Sequence, residues 1–196
     1  MKIIIRNARL SFADLFEPKS INGGKPKFTA TAICSDETKI RYTNSKGEKV
    51  EASHEKLADI CDYLLKEKFG KVPPKAEGWL YNKADGSTHR DEYTNEDGEF
   101  WAGFDAETWY ISVSKSADKC KNGQMKVLDQ RRDPIEANQG IIYSGCYVNL
   151  VIDAYAYGND SGKGVSGTLE GIQLLRKGEA LGITQINAED EFEDEE

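Results

Sequence analysis

The feature that most constrains the fold is a long alternation of side chains over residues 143–157. Apolar residues occupy one face of this segment, while tyrosines and polar residues dominate the other, which is typical of a half-buried β-strand. A glycine-containing turn at residues 158–162 follows, and residues 164–175 resume a strand-like pattern. Two such segments joined by a short turn predict a β-hairpin, and its apolar face has to be buried against further strands.

Four shorter segments supply candidates for those strands. Residues 2–12 begin with three isoleucines, residues 27–34 and 107–114 alternate, and residues 41–50 surround a Ser-Lys-Gly turn. In residues 107–114, Tyr110 alternates with the apolar residues around it. We therefore predict three strands and a short hairpin, with Tyr110 on the face opposite the apolar one.

Long loops separate these segments. Residues 13–26 contain two prolines and two glycines, and residues 71–106 are rich in Gly, Asp, Asn and Glu. Such compositions favour irregular backbone. Within the second segment we predict only short strands near residues 79–82 and 100–104.

One helix is predicted, over residues 54–69. Its apolar residues recur at spacings of three and four and form a single stripe, which indicates an amphipathic helix packed on a core. Ser53 is the candidate N-cap residue, and Gly70 followed by two prolines ends the helix.

These elements predict a mainly β fold, and an OB-fold-like β-barrel with one amphipathic α-helix and long loops fits them best. A β-sandwich is the structural alternative. We expect residues 1–187 to form one domain and residues 188–196 to be a disordered acidic tail, because the tail has almost nothing to bury.

The distribution of charge matters more than its total. The formal net charge is −8, which by itself argues against a nucleic-acid partner. Seven of the 34 acids lie in residues 189–196, however, and without them 27 acids face 26 bases. Residues 1–49 carry ten bases against five acids. The chain is therefore polarised, with a basic N-terminal third and an acidic end.

Several classes of protein are disfavoured. No apolar run approaches a membrane-spanning length, and no secretion signal follows Met1. The four cysteines are widely spaced, which argues against a zinc site and favours reduced thiols in a cytoplasm. No cofactor, metal or membrane partner is predicted. We expect the chain to act in the cytoplasm of a bacterial host.

Aromatic and basic residues on the same strands suggest single-stranded DNA as the ligand, because bases stack on exposed rings and phosphates attract cations. The aromatic candidates are Tyr81, Trp101, Tyr110, Tyr155 and Tyr157. The basic candidates are Arg6, Arg9, Lys25, Lys27, Lys115, Arg131, Arg132 and Lys163. The alternative is that the tyrosines pack under the loops or pair across strands, and that the bases form ordinary solvated surfaces.

The sequence contains no diagnostic enzymatic motif. The acids scattered over residues 85–107 could serve a metal-dependent nuclease or another DNA-processing enzyme, although their spacing is not diagnostic. No Ser or Cys lies in a recognisable nucleophile motif, and residues 161–164 lack the spacing of a phosphate-binding loop. We therefore predict that the chain is not an enzyme.

The acidic tail is the most specific feature. It comprises Glu189, Asp190, Glu191, Phe192, Glu193, Asp194, Glu195 and Glu196. A flexible polyanion with one aromatic ring resembles single-stranded DNA in charge and stacking chemistry. Tethered beside a DNA groove, it would compete there at high effective concentration and could also dock basic partner proteins. A tail that only increases solubility is the alternative.

Strings along nearly the whole chain resemble a family of phage-encoded single-stranded DNA-binding proteins. The strings are NARLSFA at 7–13, KPKF at 25–28, WYISVSK at 109–115, IYSGCYVN at 142–149, YAYGN at 155–159 and KGVSGTLEGIQ at 163–173. The resemblance implies an OB-fold, sequence-independent binding of single strands, and an acidic C-terminal tail. It also implies a role in phage replication or recombination, with replication or recombination proteins as further partners. An interaction protein without a DNA role remains a third possibility, and the oligomeric state is left open.

Overall fold

The structure is a computed structural model that describes residues 1–20, 23–73, 80–88, 90–159 and 162–182. The predicted tail and the boundary between residues 187 and 188 lie outside the described residues. No helix among the described residues has the length and apolar character needed to cross a membrane.

Within the described residues, nine strands form a single sheet that closes on itself. Neighbouring strands follow the order β2-β6-β9-β8-β1-β3-β4, and β1 also pairs with β2, so that β1, β2, β6, β9 and β8 make a closed barrel. The strands are β1 (Lys2–Lys19), β2 (Lys27–Cys34), β3 (Lys39–Thr43), β4 (Lys49–Ser53), β5 (Tyr81–Lys83), β6 (Trp109–Ser116), β7 (Val127–Leu128), β8 (Tyr147–Asn159) and β9 (Gly162–Arg176). The predicted OB-like barrel is confirmed.

The barrel interior is filled by the alternating apolar residues of its strands. Fully buried examples are Ile5 and Leu10 of β1, Phe28 of β2, Ile111 of β6 and Leu150 of β8. The predicted hairpin is confirmed as β8 and β9, which share more residue pairs than any other two strands of the sheet. The short hairpin of β3 and β4 is also confirmed.

The part of the chain that the structure describes contains one α-helix, α1 (Lys56–Phe69), which packs its apolar stripe against the core through Leu57, Cys61 and Leu65. It ends at Gly70, whose left-handed backbone lets its N–H bond the carbonyl oxygen of Lys66 at 2.8 Å. The predicted N-cap at Ser53 is wrong. Glu55 holds that position without a side-chain cap.

The predicted loop over residues 13–26 is also partly wrong, because β1 continues to Lys19. This strand pairs with β3 and β8 near its start and with β2 from Arg9 onward. Bulges between Ser11 and Asp14, and between Asp14 and Lys19, bend it. A strand that closes a small barrel has to bend strongly, and bulges allow this within residues that resemble a loop in sequence.

Residues 84–88 and 90–108 run as a long loop over the outside of the sheet. The strand predicted near residues 100–104 is wrong, since Phe100 forms only an isolated bridge with Thr94. This segment is called the covering loop below, because it lies on the outer face of β2 and β6.

Candidate nucleic-acid interface

The outer face of β1, β2 and β6 is polar in its middle. Strand register places Ser11, Thr31 and Ser112 side by side, and the hydroxyl oxygens of Thr31 and Ser112 are 3.1 Å apart. The next row holds Asp14 and Thr29, whose hydroxyl donates to the carboxylate of Asp14 at 3.1 Å. Ser11 and Thr31 are only 3% and 5% exposed, so the accessible hydrogen-bonding groups of this face belong to the half-buried Ser112, Asp14 and Thr29. Such groups suit contact with bases.

At one end of this face, the covering loop builds a small second core. Ile33, Ala84, Phe104 and Tyr110 are buried there, and Tyr93 packs against them. The ring centroids of Tyr93 and Tyr110 are 4.6 Å apart in a stacked arrangement. The covering loop is thereby fixed to the sheet by aromatic contacts.

Two rings stay accessible at the edge of this second core. Phe12 is 43% exposed and Trp101 is 40% exposed, and their centroids lie 5.4 Å apart, edge to face. Phe12 also contacts Tyr93 at 5.8 Å. We call Phe12 and Trp101 the aromatic platform. Exposed rings beside a polar sheet face are the arrangement on which bases stack.

The backbone of Phe12 is unusual. Its φ is +42°, in the left-handed region that a residue with a side chain adopts only at a cost. Regular alternation would place Phe12 on the inner face with Leu10, so the residue pattern does not indicate Phe12 as a site residue. The bulge turns the ring outward instead. Strain of this kind is concentrated at functional positions, which makes Phe12 a candidate that sequence reasoning missed.

Of the predicted aromatic residues, Trp101 is exposed, whereas Tyr110 is fully buried. Tyr110 does lie on the face opposite Ile111, as predicted, because the two residues belong to different cores. Its predicted exposure is wrong because the covering loop lies over that face. Burial raises the pKa of Tyr110, and nearby Arg90 partly opposes the increase.

Tyr81 is a second correction, since only 2% of it is exposed. Its ring stacks on Trp109 with centroids 4.4 Å apart, and its hydroxyl lies 2.6 Å from Nδ1 of His54. Burial lowers the pKa of His54, so the neutral imidazole is favoured. In this structure Tyr81 is part of the core and is not accessible to a base.

Four of the predicted bases are already engaged within the protein. Arg6 shares the carboxylate of Glu51 with Arg41, Lys25 binds Asp118 at 2.7 Å, and Lys115 binds Glu170 at 2.5 Å. The guanidinium of Arg9 donates to the backbone oxygen of Glu179 at 2.9 Å. These bases would have to exchange a partner before holding a phosphate. Lys27, Arg131 and Arg132 are exposed.

The remaining candidates occupy the end of the β8–β9 hairpin. Tyr155 is 44% exposed, and Tyr157 lies two residues further along the same strand face. The ammonium of Lys163 lies 4.9 Å above the ring of Phe69. The hairpin end therefore presents a second aromatic and basic surface, separate along the chain from the aromatic platform.

Three acids of the covering loop serve local structure. Asp85 and Glu107 both bind Lys83, and Asp105 accepts hydrogen bonds within its own turn. Over the described ranges, no three His, Cys, Asp or Glu side chains are grouped so that they could hold a metal ion.

The end of the described chain lies beside the aromatic platform. Leu181 packs on the second core, and its N–H donates to the carbonyl oxygen of Ser144 at 2.9 Å. A Cβ on Gly103 of the covering loop would lie 2.8 Å from a methyl carbon of Leu181. Leu181 is thus packed against the covering loop.

Comparisons with known proteins agree with this architecture. The chain is 32% identical over 195 residues to the p50 protein of Acyrthosiphon pisum secondary endosymbiont phage 1, covering 99% of this chain and 94% of that protein. Its fold is similar to that of the single-stranded DNA-binding protein from bacteriophage Enc34, solved in complex with single-stranded DNA. The TM-score is 0.62 at 22% identity, over 92% of this chain and 89% of the other.

A second solved structure with this fold is gp2.5, a single-stranded DNA-binding protein encoded by bacteriophage T7. Its TM-score is 0.58 at 13% identity, covering 100% of this chain and 97% of the other. The family model described as Enterobacter phage Enc34, ssDNA-binding protein, matches residues 1–196. The resemblance in the sequence strings is confirmed, and the match agrees with the prediction of a non-enzymatic protein. The chain belongs to the Enc34 single-stranded DNA-binding protein family.

Proposed function

We propose that this protein binds single-stranded DNA without sequence preference, along the outer face of β1, β2 and β6. The observation that carries the proposal is the aromatic platform, where Phe12 and Trp101 remain exposed beside a polar sheet face. Stacking on rings tolerates any base, because every base has a π-face. The relatives support the same ligand, since the Enc34 protein was solved in complex with single-stranded DNA.

In this proposal the phosphates are held by cations around the sheet face. Lys27 lies at the start of β2 and is paired in register with Ser116 of β6. Lys25 and Lys115 also bind phosphates in this proposal. Lys25 exchanges Asp118 for a phosphate and Lys115 exchanges Glu170, so each ammonium group stays paired with an anion. Tyr155, Tyr157 and Lys163 would extend the path onto the hairpin end. Binding of this kind weakens with salt.

We further propose that residues 1–187 form the DNA-binding domain and that residues 188–196 act as a tethered competitor for its groove. The packing of Leu181 against the covering loop supports this, because that loop also carries Trp101 and residue 181 is seven residues before residue 188. The acids would also dock replication or recombination proteins of the phage. The working compartment is then the cytoplasm of the infected bacterium.

A titration with oligo-dT, with and without magnesium, tests the proposal. We expect quenching of tryptophan fluorescence as Trp101 stacks, equal affinity with magnesium and with chelator, and an intact oligonucleotide afterwards. Cleavage in magnesium would establish the nuclease alternative. Absence of both binding and cleavage would leave an interaction protein without a DNA role.

A further inference from the structure

An acid lies in the middle of the polar sheet face. Asp14 of β1 is paired in register with Thr29 of β2, and Thr29 is paired with Ser114 of β6. One carboxylate oxygen of Asp14 accepts the hydroxyl of Thr29 at 3.1 Å, and the other lies 2.5 Å from the ammonium of Lys19. Cations increase the affinity of a surface for DNA, so a carboxylate at its centre has to serve another purpose than affinity.

The register places this acid between the stacking and the phosphate-binding parts of the face. Lys27 is two residues before Thr29 on β2, which corresponds to about 7 Å along the strand. On the other side, Phe12 contacts the second core, which contains Ile33, four residues after Thr29. A single strand that stacks on the aromatic platform and reaches Lys27 therefore has to pass Asp14.

Asp14 is held in place more firmly than the other acids that pair with lysines of this surface. The carboxylates paired with Lys25 and Lys115 are 50% and 40% exposed, whereas the side chain of Asp14 is 26% exposed. An exposed acid can turn toward water when a phosphate takes its lysine. Asp14 is also fixed by the hydroxyl of Thr29, so its charge stays in the face when its lysine leaves.

A fixed carboxylate distinguishes the two sides of a DNA strand. It can only accept hydrogen bonds, and phosphate oxygens also only accept, so the two groups repel each other without any compensating bond. Every base, in contrast, carries an N–H donor on its Watson–Crick edge, which is accessible in a single strand. The position occupied by Asp14 therefore accepts a base edge and rejects the sugar–phosphate backbone. Repulsion of the wrong group is a common source of specificity.

We propose that Asp14 is a specificity-determining residue that turns base edges toward the sheet and keeps the DNA backbone off the middle of the face. The inference rests on the proposed function, because it applies to DNA bound along β1, β2 and β6. It adds a selection for strands with accessible base edges over ligands that offer only a backbone. Duplex DNA is disfavoured in the same way, since its Watson–Crick edges are already paired.

The test compares two ligands by fluorescence anisotropy at low salt with the full-length protein. One is labelled oligo-dT, and the other is an abasic strand of equal length, which carries the same phosphates without bases. The readout is the ratio of the abasic Kd to the oligo-dT Kd. Asp14→Asn removes the charge and keeps an oxygen that can accept the hydroxyl of Thr29. We expect the abasic strand to bind this variant about 3- to 10-fold more tightly, with a smaller change for oligo-dT, so that the ratio narrows.

Two further variants make the result specific. Lys19→Gln changes an exposed side chain, leaves the carboxylate of Asp14 without its cation and should widen the ratio. The matched control is Asp59→Asn on α1, which makes the same charge change and also frees a lysine, because the ammonium of Lys56 lies 2.6 Å from Asp59. It should leave the ratio unchanged. Circular dichroism and melting temperature confirm that each variant is folded.

The outcomes separate this role from the proposed function. Absence of oligo-dT binding by the unmodified protein would overturn both. An unchanged ratio in folded Asp14→Asn or in Lys19→Gln, with oligo-dT still bound, would overturn only the role of Asp14. An equal narrowing in Asp59→Asn would also overturn it, since any lost negative charge would then have the same effect. If Asp14→Asn does not fold, the ratio in Lys19→Gln decides.

Discussion

Replacing Phe12 by glycine separates a role in DNA binding from a role in stability. Phe12 has an exposed ring and a left-handed backbone, with φ at +42°. Glycine adopts such a φ without steric cost, whereas another residue pays about 1–2 kcal/mol. The substitution therefore removes the ring and relieves the strain together.

The effect on folding should be small. Phe12 is 43% exposed, so that a little over half of its burial energy is lost, or about 1–1.5 kcal/mol. Loss of its edge-to-face contacts with Tyr93 and Trp101 adds about 0.5–1.5 kcal/mol. Relief of about 1–2 kcal/mol of backbone strain offsets much of this. We expect a net change of about 0–2 kcal/mol in the free energy of unfolding.

The substitution should have a clear effect on the affinity for DNA. A stacked base contributes about 1–3 kcal/mol, which corresponds to about a 5- to 150-fold weaker Kd for oligo-dT. Fluorescence anisotropy with a labelled oligonucleotide measures this, and urea denaturation measures stability. Phe12→Trp keeps a ring and should retain most of the affinity.

Tyr63→Ala is the matched control, because Tyr63 is a 37% exposed aromatic residue on α1 and away from the sheet face. It should leave the Kd unchanged. An unchanged Kd in Phe12→Gly, with the protein folded, would refute the stacking role. A Kd that rises equally in Tyr63→Ala would show that the loss is not specific to the aromatic platform.

Four further results are expected. Tyr110→Ala should lower the unfolding free energy by about 3–5 kcal/mol because it opens a cavity in the second core. Log affinity for oligo-dT should fall linearly with log salt, with a slope of about −0.7 per phosphate held, and a flat response would exclude the phosphate contacts. Burial lowers the pKa of His54 below 6.5, so the unfolded chain binds its proton more readily. Stability should therefore fall as the pH decreases below about 6.5, and thermal melts of His54→Gln should lack that component. Deleting residues 189–196 changes the net charge from −8 to −1 and should tighten oligo-dT binding, most strongly at low salt. Unchanged or weaker binding would leave the tail as a solubility or docking segment.

Local pattern was enough for much of the fold. The alternation in β8 and β9 reports which side chains face the core, and a spacing of three and four reports the same for α1. Both signals arise because burial of one face stabilises the element wherever it packs. Gly70 at the helix end follows from the same local reasoning, since few other residues tolerate its backbone.

The candidate site depended on contacts between distant segments. The sequence determined that Tyr110 faces away from the main core, but only the tertiary structure decided that a loop covers it. The same holds for Tyr81, which His54 and Trp109 enclose.

Phe12 differs in the opposite direction, because the sequence predicts a buried ring and the structure exposes it. Its place in an alternating strand predicts an inward ring, and a bulge required by barrel closure turns the ring toward solvent. Because successive side chains of a strand point to opposite faces, the sequence indicates which face a residue occupies. Whether another segment covers that face, and where the strand bends, depends on contacts between residues that are far apart in the chain. For this protein the sequence alone determined the barrel, the helix and the family, whereas the tertiary structure decided which aromatic rings are left to meet a ligand.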